Sequence, residues 1–437
     1  MAGSSVSGAG GAPFLLTPYN NFNPTQTPVP SNTTSNPNAV LLVTGVTSGP
    51  ATDLSDAQVA LSVVSAMAAS ADPAYGGVAV QTADGLAFAL QNGVMLQLAT
   101  TAIGGTPMPT ITVQGGSGGE TIIGGANPVL VNAGSGAESI LGGAAGSTIL
   151  GGAGSDTIYG GAGPNVLTAG AAPDFIAGGS GPNTIYGGSG DTIEGGAGPS
   201  TIYGGQGDTI QGNQGNNLIF GGPGDLIVTG AGTDTVFGTP GDTIIGGTGF
   251  AVIHGEAGGQ LIGGANQGSQ IFGGIGDTIV AGQGTGSSLI FANAGSEKVV
   301  GGNGPMTVVG GAFDTIAGGS GPATIYGGAG NELIFGEQGP VTVTGGVGDT
   351  IGAGSSTNQV SFGAPSELFG EFAAGSQSTI TGFQSGDSIQ FAGENPGTIS
   401  AVVGSATVAG GNTTLHLPDG STIVLVGITK VDGGFFS

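Results

Sequence analysis

From Thr112 to Phe362 short apolar runs alternate with clusters of glycine every eight or nine residues. Each run is three or four residues long and centres on one Ile, Val or Leu, as in Thr157-Ile158-Tyr159, Thr192-Ile193-Glu194 and Thr243-Ile244-Ile245. One large apolar residue between two more polar ones is the period of a strand whose middle side chain points inward. A single strand of this length cannot bury its face, so coils must stack to build a continuous core. The pattern predicts an all-β fold, a parallel β-roll or β-solenoid of Gly-rich 17–18-residue coils, with two units to a coil.

The flanks break this pattern. Residues 1–38 are rich in Gly, Pro, Asn, Ser and Thr and have too little apolar content to fold alone, so they read as a flexible segment. Residues 39–111 read as a small α+β N-terminal cap. A helix is expected from Asp53 to Ala71, with Ala57, Leu61 and Val64 on one face and Asp72-Pro73 as its stop. A hairpin is expected next, because Leu86, Phe88 and Leu90 alternate up to Asn92-Gly93 and Val94, Leu96 and Leu98 alternate away from it. Residues 363–437 read as a β-rich C-terminal cap, with a second hairpin folded at Pro418-Asp419-Gly420.

Composition narrows the function. The chain has 437 residues, 99 of them glycine, with no Cys and a formal charge of −25. Two lysines and no arginine exclude a phosphate-binding surface, so no nucleic acid partner is expected. No apolar run is long enough to span a bilayer, and no membrane insertion is expected. The absence of Cys removes disulfides, thiol catalysis and thiolate metal sites.

The segment Gly151-Gly-Ala-Gly-Ser-Asp156-Thr-Ile158-Tyr159 is a full copy of the nonapeptide G-G-x-G-x-D-x-U-x, with near copies from Gly160, Gly178, Gly195, Gly318 and Gly327. The chain therefore resembles the repeats-in-toxin (RTX) family, whose haemolysin-type repeats bind calcium. That resemblance implies that carbonyls and Asp side chains of successive turns enclose each ion, which makes calcium the expected cofactor. The last residues, Asp432-Gly-Gly-Phe435-Phe436-Ser437, resemble the uncleaved C-terminal signal of type I secretion substrates. No basic, apolar leader is visible after Met1, which fits that route.

Sorting the units by parity separates two edges. Directly before the strand, one edge carries Asp156, Asp174, Asp191, Asp208, Asp225, Asp242, Gly259, Asp277, Glu297, Asp314, Glu332 and Asp349. The other carries Ser147, Asn165, Asn183, Ser200, Asn217 and Asp234, then mostly apolar residues, with Pro164, Pro182, Pro199, Pro305, Pro322 and Pro340 preceding several of the positions on this edge. Stacked carboxylates about 5 Å apart repel by roughly 1 kcal/mol per pair in water and by about 3–4 at an effective dielectric of 20. Calcium, which takes six to eight oxygens, removes that repulsion. The eleven carboxylates of the first edge are thus the candidate metal ligands. The competing reading is that they cap tight turns. Eight-residue units such as Gly187-Gly-Ser-Gly-Asp191 lack the residue before Asp, which disturbs a cage.

On the carboxylate-poor edge the last strand residue should face outward. That column reads Tyr186, Tyr203, Phe220, Phe237, His254, Phe272, Phe291 and Tyr326, a candidate assembly or ligand surface. His254 and His416 are the only histidines, neither in a metalloprotease or triad setting, and no catalytic set is found. The expected role is a secreted, calcium-stabilised structural solenoid that forms a homo-oligomer or polymer, in a fibre, surface layer or biofilm matrix. The alternative is an adhesin binding a cell-surface glycan, with ice binding by columns of Thr a further one.

Overall fold

The computed structural model describes residues 36–43, 75–82, 85–90, 95–98, 110–328, 330–363, 366–371, 374–391 and 394–436. The helix expected over 53–71 and most of the segment 1–38 lie outside them. The chain divides into two units, residues 1–219 and 220–437.

Unit 1 is a parallel β-solenoid with two ladders. Ladder A runs through Met95–Gln97, Thr121–Ile123, Ser139–Leu141, Thr157–Tyr159, Phe175–Ala177, Thr192–Glu194 and Thr209–Gln211. Ladder B runs through Thr110–Gln114, Val129–Asn132, Ser147–Leu150, Asn165–Thr168, Asn183–Tyr186 and Ser200–Tyr203. Thr157 pairs with Phe175 eighteen residues on, whereas Phe175 pairs with Thr192 seventeen on, so coils of both lengths share one register. In ladder A only the middle residue of each strand is buried. In ladder B the first and third are buried, except in Thr110–Gln114, where Ile111 and Val113 are. The core is therefore two facing columns, Ile140, Ile158, Ile176, Ile193 and Ile210 against Ile149, Leu167, Ile185 and Ile202.

The hairpin expected across Asn92-Gly93 does not form. Gly85–Leu90 pairs antiparallel with Tyr75–Thr82 and parallel with Thr110–Gln114, while Met95–Gln97 opens ladder A beside Thr121–Ile123. The two halves join different ladders because Leu96 and Leu98 become buried at the core, a burial an isolated two-stranded hairpin could not supply.

Unit 2 repeats the arrangement. Its ladder A extends from Leu226–Val228 through Thr243–Ile245, Gln260–Ile262, Thr278–Val280, Lys298–Val300, Thr315–Ala317, Leu333–Phe335 and Thr350–Gly352 to Leu368–Glu371 and Ser388–Phe391. Ladder B extends from Asp234–Phe237 to Thr357–Ser361, Gln377–Thr381 and finally Thr422–Leu425. Both ladders thus run on past Phe362. The hairpin at Pro418-Asp419-Gly420 forms, pairing His416 with Thr422, and its inner strand closes ladder B. A helix not foreseen from the sequence, Pro396–Ser405, starts where Asn395 Oδ1 accepts from the Gly397 and Thr398 N–H groups. Near the end of the chain Phe435 stacks on Phe383 at 5.0 Å.

Candidate metal-binding edge and aromatic face

Every carboxylate expected on the first edge stands directly before a ladder A strand and is buried, none more than 4% exposed. The column is longer than the sequence suggested. Glu120 and Glu138 precede Asp156 in unit 1, and Glu367 and Asp387 follow Asp349 in unit 2, all buried. Glu120 and Glu138 keep the 18-residue spacing, so extending the period upstream with Glu allowed for Asp finds them. The 20 residues from Glu367 to Asp387 hide the last step. Gly259 takes the vacant place, and its N–H donates to Asp277 Oδ1 at 2.7 Å.

Backbone N–H groups hold most of these carboxylates. The N–H of one ladder residue donates to Oδ1 of the next coil's aspartate, as from Asp156 to Asp174, Asp174 to Asp191, Asp191 to Asp208, Asp225 to Asp242, Glu297 to Asp314 and Glu332 to Asp349, at 2.7–3.0 Å. The second oxygen accepts from the aspartate's own turn. Gly188, Gly205, Gly222, Thr239, Gly274, Gly311 and Gly346 each donate to Oδ2 of the aspartate three residues later, at 2.5–2.7 Å. In the nine-residue unit of Asp174 the Gly170 N–H, four residues earlier, makes the same bond at 2.6 Å. A carboxylate with a donor on each oxygen closes its turn without an ion.

The family's metal has to fit what remains. Four buried carboxylate oxygens meet no donor in the first coils: Glu120 Oε1, both oxygens of Glu138, and Asp156 Oδ2. Glu297 Oε2 and Glu332 Oε2 in unit 2 do the same. An ionised group left so is costly, and burial raises its pKa. Burial, then the carboxyls of Asp156 and Glu120, push Glu138 up to about 9. Burial followed by Glu297 and by Glu332 pushes Asp314 and Asp349 up to about 7. Burial also raises Asp174, Asp191 and Asp277, against the pull of their N–H donors. These bare oxygens suit a hard divalent cation. Among the described residues no three His, Asp or Glu side chains converge on one point. A cation here would take two carboxylates of adjacent coils and fill its shell with turn carbonyls and water.

The second edge reverses the polarity. Asn165 Nδ2 donates to the carbonyls of Gly163 and Gly178 and to Asn183 Oδ1, at 2.7, 3.1 and 2.9 Å. Asn183 and Asn217 repeat this with Gly181, Gly195, Gly212 and Gly215. Here the turns aim carbonyls inward and a neutral amide fills the space. Pro164, Pro182 and Pro199 accept from the preceding coil's N–H and have no donor of their own to satisfy. Asp234 is this edge's buried carboxylate.

The aromatic column forms as expected. Tyr186 stacks on Tyr203 in unit 1 at 5.0 Å. In unit 2 Phe220, Phe237, His254, Phe272 and Phe291 stack in order, with centroids 4.6–5.3 Å apart and planes within 11°. Burial between two rings lowers the His254 pKa. Val309 interrupts the column before Tyr326. Because neighbours cover each other's faces, the stack shows solvent its ring edges. The other outward residues of ladder B, such as Thr184, Thr201, Thr235, Val252, Gln270 and Leu289, are uncharged.

The family model of the RTX calcium-binding nonapeptide repeat (four copies) matches residues 114–149, 132–167, 142–175, 168–191, 190–208, 206–236 and 309–343. A comparison with curated proteins finds no match.

Proposed function

This chain is an RTX calcium-binding repeat protein, and from that premise we propose that it is a structural protein whose folded copies associate through the ladder B face. RTX repeat proteins are typically secreted, and among the described residues no helix is long and apolar enough to cross a membrane. The reading places this chain outside the cell, in a fibre, surface layer or biofilm matrix.

The observation that carries it is where the charge lies. Among the described residues sixteen carboxylates are buried, while the aromatic face has no charged residue in its strands' outward positions. A neutral, repetitive face with a strip of apolar ring edges suits an identical face on a second copy. Sugar rings need exposed aromatic faces to stack on, and these faces are covered, so self-association is favoured over glycan binding.

The test is calcium titration of EDTA-stripped protein, read by circular dichroism and light scattering together. The reading expects a gain of β-structure accompanied by growth in size. A monodisperse monomer at high calcium and high protein concentration overturns the assembly. A stripped protein already folded and indifferent to calcium overturns the metal's role.

A further inference from the structure

We propose that the calcium-binding site proper is the short stack Glu120–Glu138–Asp156 at the start of unit 1, and that the aspartate-to-aspartate steps beyond it are closed turns that take no ion. This rests on the calcium reading above and restricts it to one place: Glu297 and Glu332 each keep one bare oxygen, but turn N–H groups hold the other, whereas Glu138 has both bare.

The two kinds of step differ in what their oxygens already touch. At Asp174, Asp191 and Asp208 each carboxylate oxygen has a backbone N–H within 2.8 Å. Their turns point hydrogen, not oxygen, at the carboxylate, the wrong polarity for a cation. An ion at such a step must displace two hydrogen bonds per aspartate before gaining a ligand.

The first three carboxyls are built differently. Glu138 is 2% exposed and neither of its oxygens has a hydrogen-bond partner. Glu120 Oε1 lies one coil before it and Asp156 Oδ2 one coil after, both bare and both in buried residues. Oxygen also comes from the backbone. The point a methyl of Gly136 would occupy has the Gly118 carbonyl oxygen at 1.9 Å and Glu138 Oε1 at 2.8 Å. A main-chain and a side-chain oxygen thus lie close together over one glycine. The Gly116 N–H reaches Glu120 Oε2 at 3.3 Å and the Glu138 N–H donates to Asp156 Oδ1 at 2.8 Å, but no donor reaches Glu120 Oε1, either oxygen of Glu138, or Asp156 Oδ2. Glu120 and Glu138 depart from the family's Asp, and the longer side chain reaches its neighbour's carboxyl. Two adjacent steps, Glu120 to Glu138 and Glu138 to Asp156, each offer two carboxylates and turn carbonyls to a hard divalent cation.

The experiment is calcium binding to the full chain by isothermal titration calorimetry, with bound calcium counted by equilibrium dialysis. Wild type is compared with Glu138→Gln and with Asp191→Asn. Glutamine keeps the size of Glu138 and removes a buried charge, so that variant has no reason to misfold. The expected result is one or two tight ions in wild type, at least tenfold weaker binding in E138Q, and an unchanged ion count in D191N with a lower unfolding midpoint. A wild-type count near the number of ladder aspartates, or a loss of ions in D191N as large as in E138Q, overturns the restriction while leaving the calcium reading intact. No calcium taken up by wild type overturns both. Should E138Q prove unfolded, Glu120→Gln tests the same stack from its other step, with the same tenfold loss expected and an unchanged affinity counting against the site.

Discussion

The residue just before the carboxylate in a shortened turn must take a positive φ. Gly207 at 72°, Gly224 at 78° and Gly241 at 84° do so freely, but Phe313 occupies the same place at 67° with its ring 65% exposed. A bulky residue in the left-handed region carries strain of about 1–2 kcal/mol, and this ring recovers little of it by burial. Phe313→Gly is therefore expected to raise stability by about 1 kcal/mol, seen as a higher urea midpoint at fixed calcium. Gly207→Ala is the mirror experiment. A methyl there meets nothing within 4 Å, so the expected loss of about 1 kcal/mol is backbone strain alone. The positions of the carboxylates were legible from the sequence because the strand period is rigid. Their hydrogen-bond partners were not. Whether a turn offers N–H or C=O to a side chain depends on peptide orientation, and Asp191 and Asn183 look equally like turn residues in a string of letters.

At the level of elements, the strand columns could be read because one inward Ile per unit sets each register. The N-terminal hairpin was misread because alternation around Asn92-Gly93 is equally satisfied by two strands of different ladders. The helix Pro396–Ser405 went unnoticed although Asn395-Pro396 is a standard cap and first residue. It has only Val402 buried, so no apolar stripe announces it. The ring stack belongs to this scale too. Each stacked pair contributes about 0.5–1.5 kcal/mol beyond its burial. Replacing Phe237 and Phe272 together by Thr, the residue common at outward positions, is expected to leave the circular dichroism of the calcium-loaded protein unchanged and to reduce its light-scattering growth. Growth equal to wild type would remove the column from the interface.

For the whole molecule, the buried carboxyls fix how the metal-free state answers pH. Glu138 moves from 4.5 to about 9, and Asp314 and Asp349 from 3.8 to about 7, on folding. A raised carboxyl pKa means that the native state binds protons the unfolded chain has already released. Stability then falls as pH rises through the window between the two values. EDTA-treated protein is expected to melt at progressively lower temperature from about pH 4.5 up to about pH 9, and saturating calcium should flatten the part of that slope that Glu138 contributes. A melting temperature that climbs over the same range would contradict the burial of these groups.

The interior placement of the carboxylates also changes what the molecule is before and after it folds. As an open chain it is a polyanion, 27 acids against two bases, whose copies keep one another apart and dissolved. Folding buries sixteen of those acids among the described residues and leaves the outward positions of the ladder B strands uncharged. Under the proposed assembly, cohesion is acquired with structure, so unfolded copies stay separate and cohere where they fold.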